Sequence, residues 1–185
     1  MMNVRETELD GVLIIEPNVF GDKRGYFVET YQRQRYADAG IDVDFVQDNL
    51  SFSKKGALRG LHYQHPHEQA KLVQVIQGEV FDVVVDIWIG SPTFGKWIGQ
   101  HLSDENKQQI YVPEGFAHGF FVLSDTAIFH YKCSDFYAPD CEGGMLWSDP
   151  DVAIDWPLDS PIVSDKDAQF SLLKEIVADR LPSYK

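Results

Sequence analysis

An all-β sandwich or barrel is the fold class this sequence predicts, on three observations. Short segments rich in Val, Ile, Phe, Tyr and Trp alternate with turn signals: Asn18 to Gly25, Lys54-Lys55-Gly56, His65-Pro66, Gly90-Ser91-Pro92, Pro113-Glu114-Gly115, Ala138-Pro139-Asp140 and Gly143-Gly144. Helical periodicity is confined to two short stretches. The 185 residues form one domain's length, with no internal repeat or linker, so residues 1–185 are read as a single domain. A chain of this size buries about 70% of its unfolded surface and folds without disulfides or structural metal.

The elements follow from the punctuation. A strand is predicted over Leu13–Glu16, and a second, Tyr26–Tyr31, opens after the Asn18–Gly25 turn region. Gln32–Ala39 carries one short helical pattern. Phe45–Ser53 runs up to Lys54-Lys55-Gly56, and Ala57–Gln64 fills the interval from there to His65-Pro66. Ala70–Gln77 and Glu79–Ile89 flank Gly78, and the second ends at Gly90-Ser91-Pro92. Lys96–Leu102, Gln108–Val112 and His118–Val122 lie around Pro113-Glu114-Gly115, and Ala127–Cys133 and Gly144–Trp147 close the set. In the Glu79–Ile89 strand, Phe81, Val83, Val85 and Ile87 share a face that points to a core. Asp82, Val84 and Asp86 share the other, which points to solvent or to a site. A C-terminal helix is predicted over Lys166–Ala178, with Phe170, Leu173, Ile176 and Val177 at helical spacing and Asp165 or Ser164 as N-cap.

Composition excludes several functions. The formal net charge of −13 argues against nucleic acid, whose binding needs basic patches. It leaves room for a small anionic ligand, because Arg and Lys clustered in a cleft act locally and surface charge is screened within about 8 Å at physiological salt. No stretch approaches the roughly 20 apolar residues of a membrane helix. The richest, Val80 to Gly90, is interrupted by Asp82 and Asp86. The first residues lack the basic and apolar regions of a signal peptide. The two cysteines, Cys133 and Cys141, form no C-x-x-C pair and read as reduced thiols. Together these features predict a cytoplasmic protein.

Three polar residues stand out in the apolar strands. His62, in Arg59-Gly60-Leu61-His62-Tyr63, has an imidazole suited to accepting a proton near neutral pH. Strict alternation turns Gly60, His62 and Gln64 one way and Arg59, Leu61 and Tyr63 the other. Lys71 opens an apolar strand, where charge is costly without a partner, and is either an edge gatekeeper or a cation aimed at an oxyanion. Tyr131 is a packing residue or, if its hydroxyl enters the barrel, a proton donor. Pro113-x-Gly115-x-x-His118 resembles the second motif of the cupin barrels. The first cupin motif is matched by the spacing of His65-Pro66-His67, Lys71 and Gly78, with Lys71 where metal cupins carry glutamate. An ammonium there repels a divalent ion. A metal site through His62, His65, His67 and His118 is the alternative.

Taken in order along the chain, the motifs resemble the dTDP-4-dehydrorhamnose 3,5-epimerase family. They are Phe20-Gly-Asp-x-Arg24-Gly-Tyr-Phe27-x-Glu29, Phe45-Val-Gln-Asp-Asn49, Leu58-Arg-Gly-Leu-His62-Tyr-Gln, Gly78-Glu-Val-Phe-Asp-Val, Ser91-Pro-Thr-Phe-Gly95, Pro113-Glu-Gly-Phe-Ala-His-Gly119 and Ser164-Asp-Lys-Asp167. The resemblance implies a cupin-type jelly roll, a homodimer, no cofactor, and inversion at C3 and C5 of dTDP-4-dehydro-6-deoxy-D-glucose. It implies His62 as base, Asp167 as its orienting partner, Tyr131 as acid on the opposite face and Lys71 beside the C4 oxygen. It places Arg59, His118, Glu142 and Lys166 at further substrate positions. Arg24, Phe27, Glu29, Gln47, Asp48 and Asn49 fall at nucleotide positions, part of that wall coming from a partner subunit. The His65-Pro66-His67 loop departs from the family pattern.

The chemistry explains the residue types. Hydrogens at C3 and C5 are acidic because the carbanion delocalises onto the C4 oxygen. Inversion requires a base on one face, an acid on the other and a donor to the oxyanion. Arg24 and Arg59 suit a pyrophosphate, and Phe27 with Phe136 or Tyr137 suits a thymine face. No Gly-x-Gly-x-x-Gly fingerprint occurs. The alternatives are a single-carbon epimerase or keto-sugar isomerase, a metal-dependent cupin, and a non-catalytic sugar-nucleotide binder.

Overall fold

The computed structural model describes residues 2–157 and 160–184. Two antiparallel sheets face each other. The first contains β1 (Asn3–Glu6), β2 (Leu13–Glu16), β5 (Gln47–Lys54), β7 (Lys71–Gln77), β10 (Gln109–Val112) and β12 (Thr126–Cys133), in the order β1-β2-β10-β7-β12-β5. The second contains β6 (Leu58–Gln64), β8 (Glu79–Asp86), β9 (Trp97–Ser103), β11 (Phe116–Val122) and β13 (Glu142–Gly144), in the order β13-β6-β11-β8-β9. β3 (Val19–Asp22) and β4 (Gly25–Val28) form a separate hairpin; β3 lies inside the region read from sequence as a turn, and β4 overlaps the strand predicted at Tyr26–Tyr31.

Strand alternation fills the space between the sheets. Val73, Val75, Val84, Ile110, Val112, Phe120 and Phe129 meet there, with Phe120 and Phe129 stacked at 3.9 Å. A second apolar layer lies outside the five-stranded sheet, where Val83, Val85 and Ile87 are covered by Met145, Leu173 and Leu181. A third lies outside β2 and β10, where Tyr36 and Ile41 pack on Ile15 and Leu72. The strand β8 is thus buried on both faces: the apolar face meets a core as read, and of the two places read for the Asp face, solvent is excluded. The Phe81–Ile87 face is covered by the C-terminal segment, while Asp82, Val84 and Asp86 point into the barrel and are themselves buried. Asp86 accepts bonds from Trp88 N–H at 2.8 Å and Thr93 Oγ1 at 2.6 Å, tying down the turn before β9.

The short helix appears as α1 (Arg33–Asp38), with the Gln32 side chain accepting from Arg35 N–H as its N-cap. The C-terminal helix does not form. Three isolated 3₁₀ turns, Asp167–Gln169, Leu173–Glu175 and Ala178–Arg180, are separated by extended residues at Phe170, Leu172, Ile176 and Val177. The apolar residues at helical spacing mark points where an irregular strap touches the sheet. Leu173 and Ile176 pack on its outer core, and Val177 stays exposed.

Candidate active site

The inner faces of β5, β6, β7, β11 and β12 enclose a cavity of about 540 Å³, a size typical of small-molecule sites. Arg59, His62, Lys71, His118, Tyr131 and Asp167 all line it.

His62 and Asp167, 105 residues apart, form a dyad with Nε2 and Oδ1 at 2.8 Å. The carboxylate is held from its other side by the Gly60 N–H at 3.1 Å, and Ser164 Oγ accepts from the Asp167 N–H at 3.1 Å. Phe170 meets the imidazole edge-on at 5.8 Å. Burial raises the Asp167 carboxyl, but the hydrogen bond and charge of His62 outweigh it, and its pKa lies below the ordinary value. With Nε2 facing a carboxylate, Nδ1 is the nitrogen left to accept a proton. Gly60 is required at this point. Its φ is +126°, and a Cβ there would stand 2.6 Å from Gly119 Cα on β11.

The register beside this contact changes which residues reach the cavity. His118 pairs with His62 and Phe120 with Arg59, so three residue steps on β6 oppose two on β11. The extra residue is a bulge, and it brings Arg59 to the same cavity as His62. Strict alternation, as read from the sequence, separates them. Gln64 also departs from that reading: it leaves the cavity to bond His67 O at 2.7 Å and the Ala138 N–H at 2.9 Å.

A second dyad lies beside the first. His118 Nε2 sits 2.9 and 3.0 Å from the two oxygens of Asp82, whose side chain is wholly buried. Burial raises the Asp82 carboxyl, with His118 and Lys71 opposing. Lys71, half-buried at the start of β7, has its ammonium pKa pushed down by burial, against the charges of Cys133, Asp82 and Glu142. Sequence reading put Asp82 on a face pointing to solvent or to a site but did not pair it with His118. The available signal was a carboxylate on the inward face of an otherwise apolar strand.

Tyr131 enters from the opposite sheet. It lies on β12 opposite Val73 of β7, so it shares an inner face with Lys71, whose register partner is Cys133. His62 and His118 come from the facing sheet. Burial raises the phenol's pKa, and the Arg59 charge opposes it.

At the rim, Glu142 accepts from Lys166 and from Tyr137 Oη, the latter at 2.8 Å. Lys166 lines the cavity and Glu142 stands behind it. Burial raises the Glu142 carboxyl, but the hydrogen bonds from Lys166 and Tyr137 outweigh this and lower its pKa. Gln47 and Asn49 are joined at 3.1 Å, and Gln47 Oε1 accepts from the Tyr137 N–H at 3.0 Å. Asp48 is turned outward by strand alternation and pairs with Lys132 Nζ at 2.8 Å, which separates it from its two neighbours. Arg24, Phe27 and Glu29 are not brought to this cavity by their own chain. Arg24 pairs with Asp22 at 2.5 Å within the hairpin turn, Glu29 with Arg35 at 2.5 Å, and Phe27 is 69% exposed. The hairpin meets the barrel elsewhere, where Lys107, just before β10, lies over the Tyr26 ring at 4.0 Å.

The four histidines of the metal reading do not converge. His62 faces Asp167, His118 faces Asp82, His65 Nδ1 lies 2.5 Å from Glu68, and His67 lies 3.3 Å from Asp135. Among the described residues, no three His, Cys, Asp or Glu side chains are grouped to hold a metal.

Fold and cavity together define the class: a cupin-type jelly-roll barrel whose cavity holds two histidines, a lysine and an arginine against apolar walls. The family model of dTDP-4-dehydrorhamnose 3,5-epimerase matches residues 6–175, and the chain belongs to that family. It is 58% identical over 168 residues to the dTDP-4-dehydrorhamnose 3,5-epimerase of Shigella flexneri, covering 90% of this chain and 93% of that one. It is 51% identical over 173 residues to the enzyme of the same name from Methanothermobacter thermautotrophicus, covering 92% and 94%. A solved structure of the dTDP-6-deoxy-D-glucose-3,5-epimerase of Legionella pneumophila, in complex with dTDP-4-keto-L-rhamnose, superposes with a TM-score of 0.98 at 54% identity over all of both chains.

Proposed function

We propose that this chain inverts C3 and C5 of dTDP-4-dehydro-6-deoxy-D-glucose, giving dTDP-4-dehydro-L-rhamnose. The observation that carries the reading is the placement of His62 and Tyr131 on opposite sheets of one cavity, with Lys71 between them in chemistry. His62, steered by Asp167, takes the proton from carbon on one face of the sugar. Electron density moves onto the C4 oxygen, which Lys71 and His118 meet as donors. Tyr131 returns a proton on the other face, so the centre inverts instead of exchanging with retention. Asp82 fixes the His118 ring. Arg59 and Lys166 bind the nucleotide sugar, with Glu142 positioning Lys166, and Gln47 and Asn49 extend the polar wall towards the nucleotide.

The protein works as a homodimer. The outer face of β5 leaves Leu50 and Phe52 exposed, and the hairpin exposes Phe20 and Phe27, large apolar side chains that a second copy covers. A hairpin docked on a second copy takes Arg24, Phe27 and Glu29 to that copy's cavity, which explains why they stand apart from their own. The unpaired thiols of Cys133 and Cys141 suit a cytoplasmic enzyme.

Position-resolved deuterium exchange tests the reading. Wild type in D₂O is expected to label C3 and C5 of the keto sugar, and His62→Ala to label neither. Labelling at one carbon alone would make the protein a single-carbon epimerase, and normal labelling by His62→Ala would remove the histidine from its role.

A further inference from the structure

The inner face of β5 presents Gln47, Asn49, Ser51 and Ser53 to the barrel. Three of these are engaged. Gln47 and Asn49 bond each other, Asn49 Nδ2 also reaches Cys133 Sγ at 3.6 Å, and Ser53 Oγ accepts from Arg59 Nε at 2.9 Å. Ser51 differs. It lines the cavity, its Oγ is shielded from water, and among the described residues that oxygen has no hydrogen-bond partner. Its register partner is Phe129, and it lies between Asn49, opposite Tyr131, and Ser53, the anchor of Arg59.

A shielded hydroxyl without a partner destabilises a free protein, so its presence calls for a physical reason. A ligand in the cavity supplies one, since a single turn about χ1 moves Oγ between staggered positions. The neighbours indicate which ligand atom. Arg59 spends Nε on Ser53, and its Nη2 reaches Phe52 O at 3.4 Å. That fixes the guanidinium plane and leaves its other N–H groups for an anion. A hydroxyl next to a guanidinium is suited to share a phosphoryl oxygen with it. We infer that Ser51 is a further substrate-binding residue, whose hydroxyl donates to the sugar-side phosphoryl group of the nucleoside diphosphate beside Arg59. The inference rests on the substrate class proposed above.

Calorimetric titration with dTDP, kinetics and thermal melting of wild type, Ser51→Ala and Ser51→Thr test it. Ser51→Ala is expected to weaken dTDP binding roughly tenfold or more, as for a lost hydrogen bond to a charged group. KM should rise by the same factor with kcat within about twofold, the mark of binding shared by ground and transition states. Ser51→Ala should melt no lower than wild type, and Ser51→Thr should recover affinity. Equal dTDP affinity in wild type and Ser51→Ala overturns the inference. So does a raised KM with dTDP affinity unchanged, which would move the hydroxyl's partner to the sugar, or a lowered melting temperature that Ser51→Thr fails to restore. Absence of dTDP binding by wild type would refute the proposed function, and this inference with it.

Discussion

Asp167 does two jobs with two oxygens: one faces His62 and the other accepts from the backbone of Gly60. Asp167→Asn keeps the size but offers an amide where the imidazole needs a carboxylate. Its kcat is expected to fall by about 10²–10⁴ with KM little changed, because the base loses its tautomer control and its counter-charge. An unaltered pH–rate profile in this variant would show that the carboxylate does not steer the base. Lys71→Met is expected to cost about 10²–10³ in kcat, the loss typical of one oxyanion donor. Deuterium labelling should fall in parallel, and labelling at the wild-type rate would exclude the ammonium from the C4 oxygen. At this scale the cavity lining was legible where a polar residue interrupts an apolar strand, as with His62, Lys71 and Tyr131. It was not readable where function depends on a contact across the fold. Asp82 belongs with His118, 36 residues away, and no local pattern announces that pairing.

The bulge in β6 and the Gly60–Gly119 contact act at the scale of elements. Both glycines are used where two strands pass within van der Waals distance, directly next to the dyad. Gly60→Ala is expected to destabilise the protein by about 1–3 kcal/mol, through positive-φ strain and forced separation of β6 and β11. Urea denaturation measures this, and an unchanged midpoint would show that the strands part freely. The exposed outer face of β5 predicts a second result. Leu50→Asp with Phe52→Asp places charge where a partner copy would bury apolar surface. On the proposed homodimer, sedimentation velocity is expected to show monomers for this pair and dimers for wild type, and kcat/KM to fall as the hairpin of a second copy is withdrawn from the cavity. Most strands were legible from turn residues. Two failures come from burial on an unexpected side, while β1 and β3 were missed as short, largely exposed strands. β8 is covered on both faces, so its alternation did not mark inside from outside. The 166–178 strap shows helical spacing only because it touches one surface at intervals.

For the whole molecule, acidity sets a limit on stability. Asp167 and Glu142 have folded pKa values below their unfolded ones, so their stabilisation is complete above the ordinary carboxylate range near 4 and lost as pH falls through the lowered values. Asp82 has the opposite sign: its raised pKa favours the fold at low pH and withdraws that support as pH rises through the raised value. The urea midpoint of wild type is therefore expected to drop below about pH 4, and that of Asp167→Asn to drop less. Circular dichroism reads both, and parallel curves would mean that Asp167 contributes nothing to the acid limb. The strap that carries Asp167 also ties the far end of the chain to the His62 dyad. Its hold on the barrel comes from Leu173 and Leu181, with a backbone bond from Ile89 N–H to Pro182 O at 2.9 Å. A protease that clipped this tail would leave every strand standing but loosen the part of the cavity wall that Lys166 and Asp167 supply. It would also take Asp167 away from His62, so on the proposed mechanism fraying at the last residues is felt first as lost turnover, well before any strand melts.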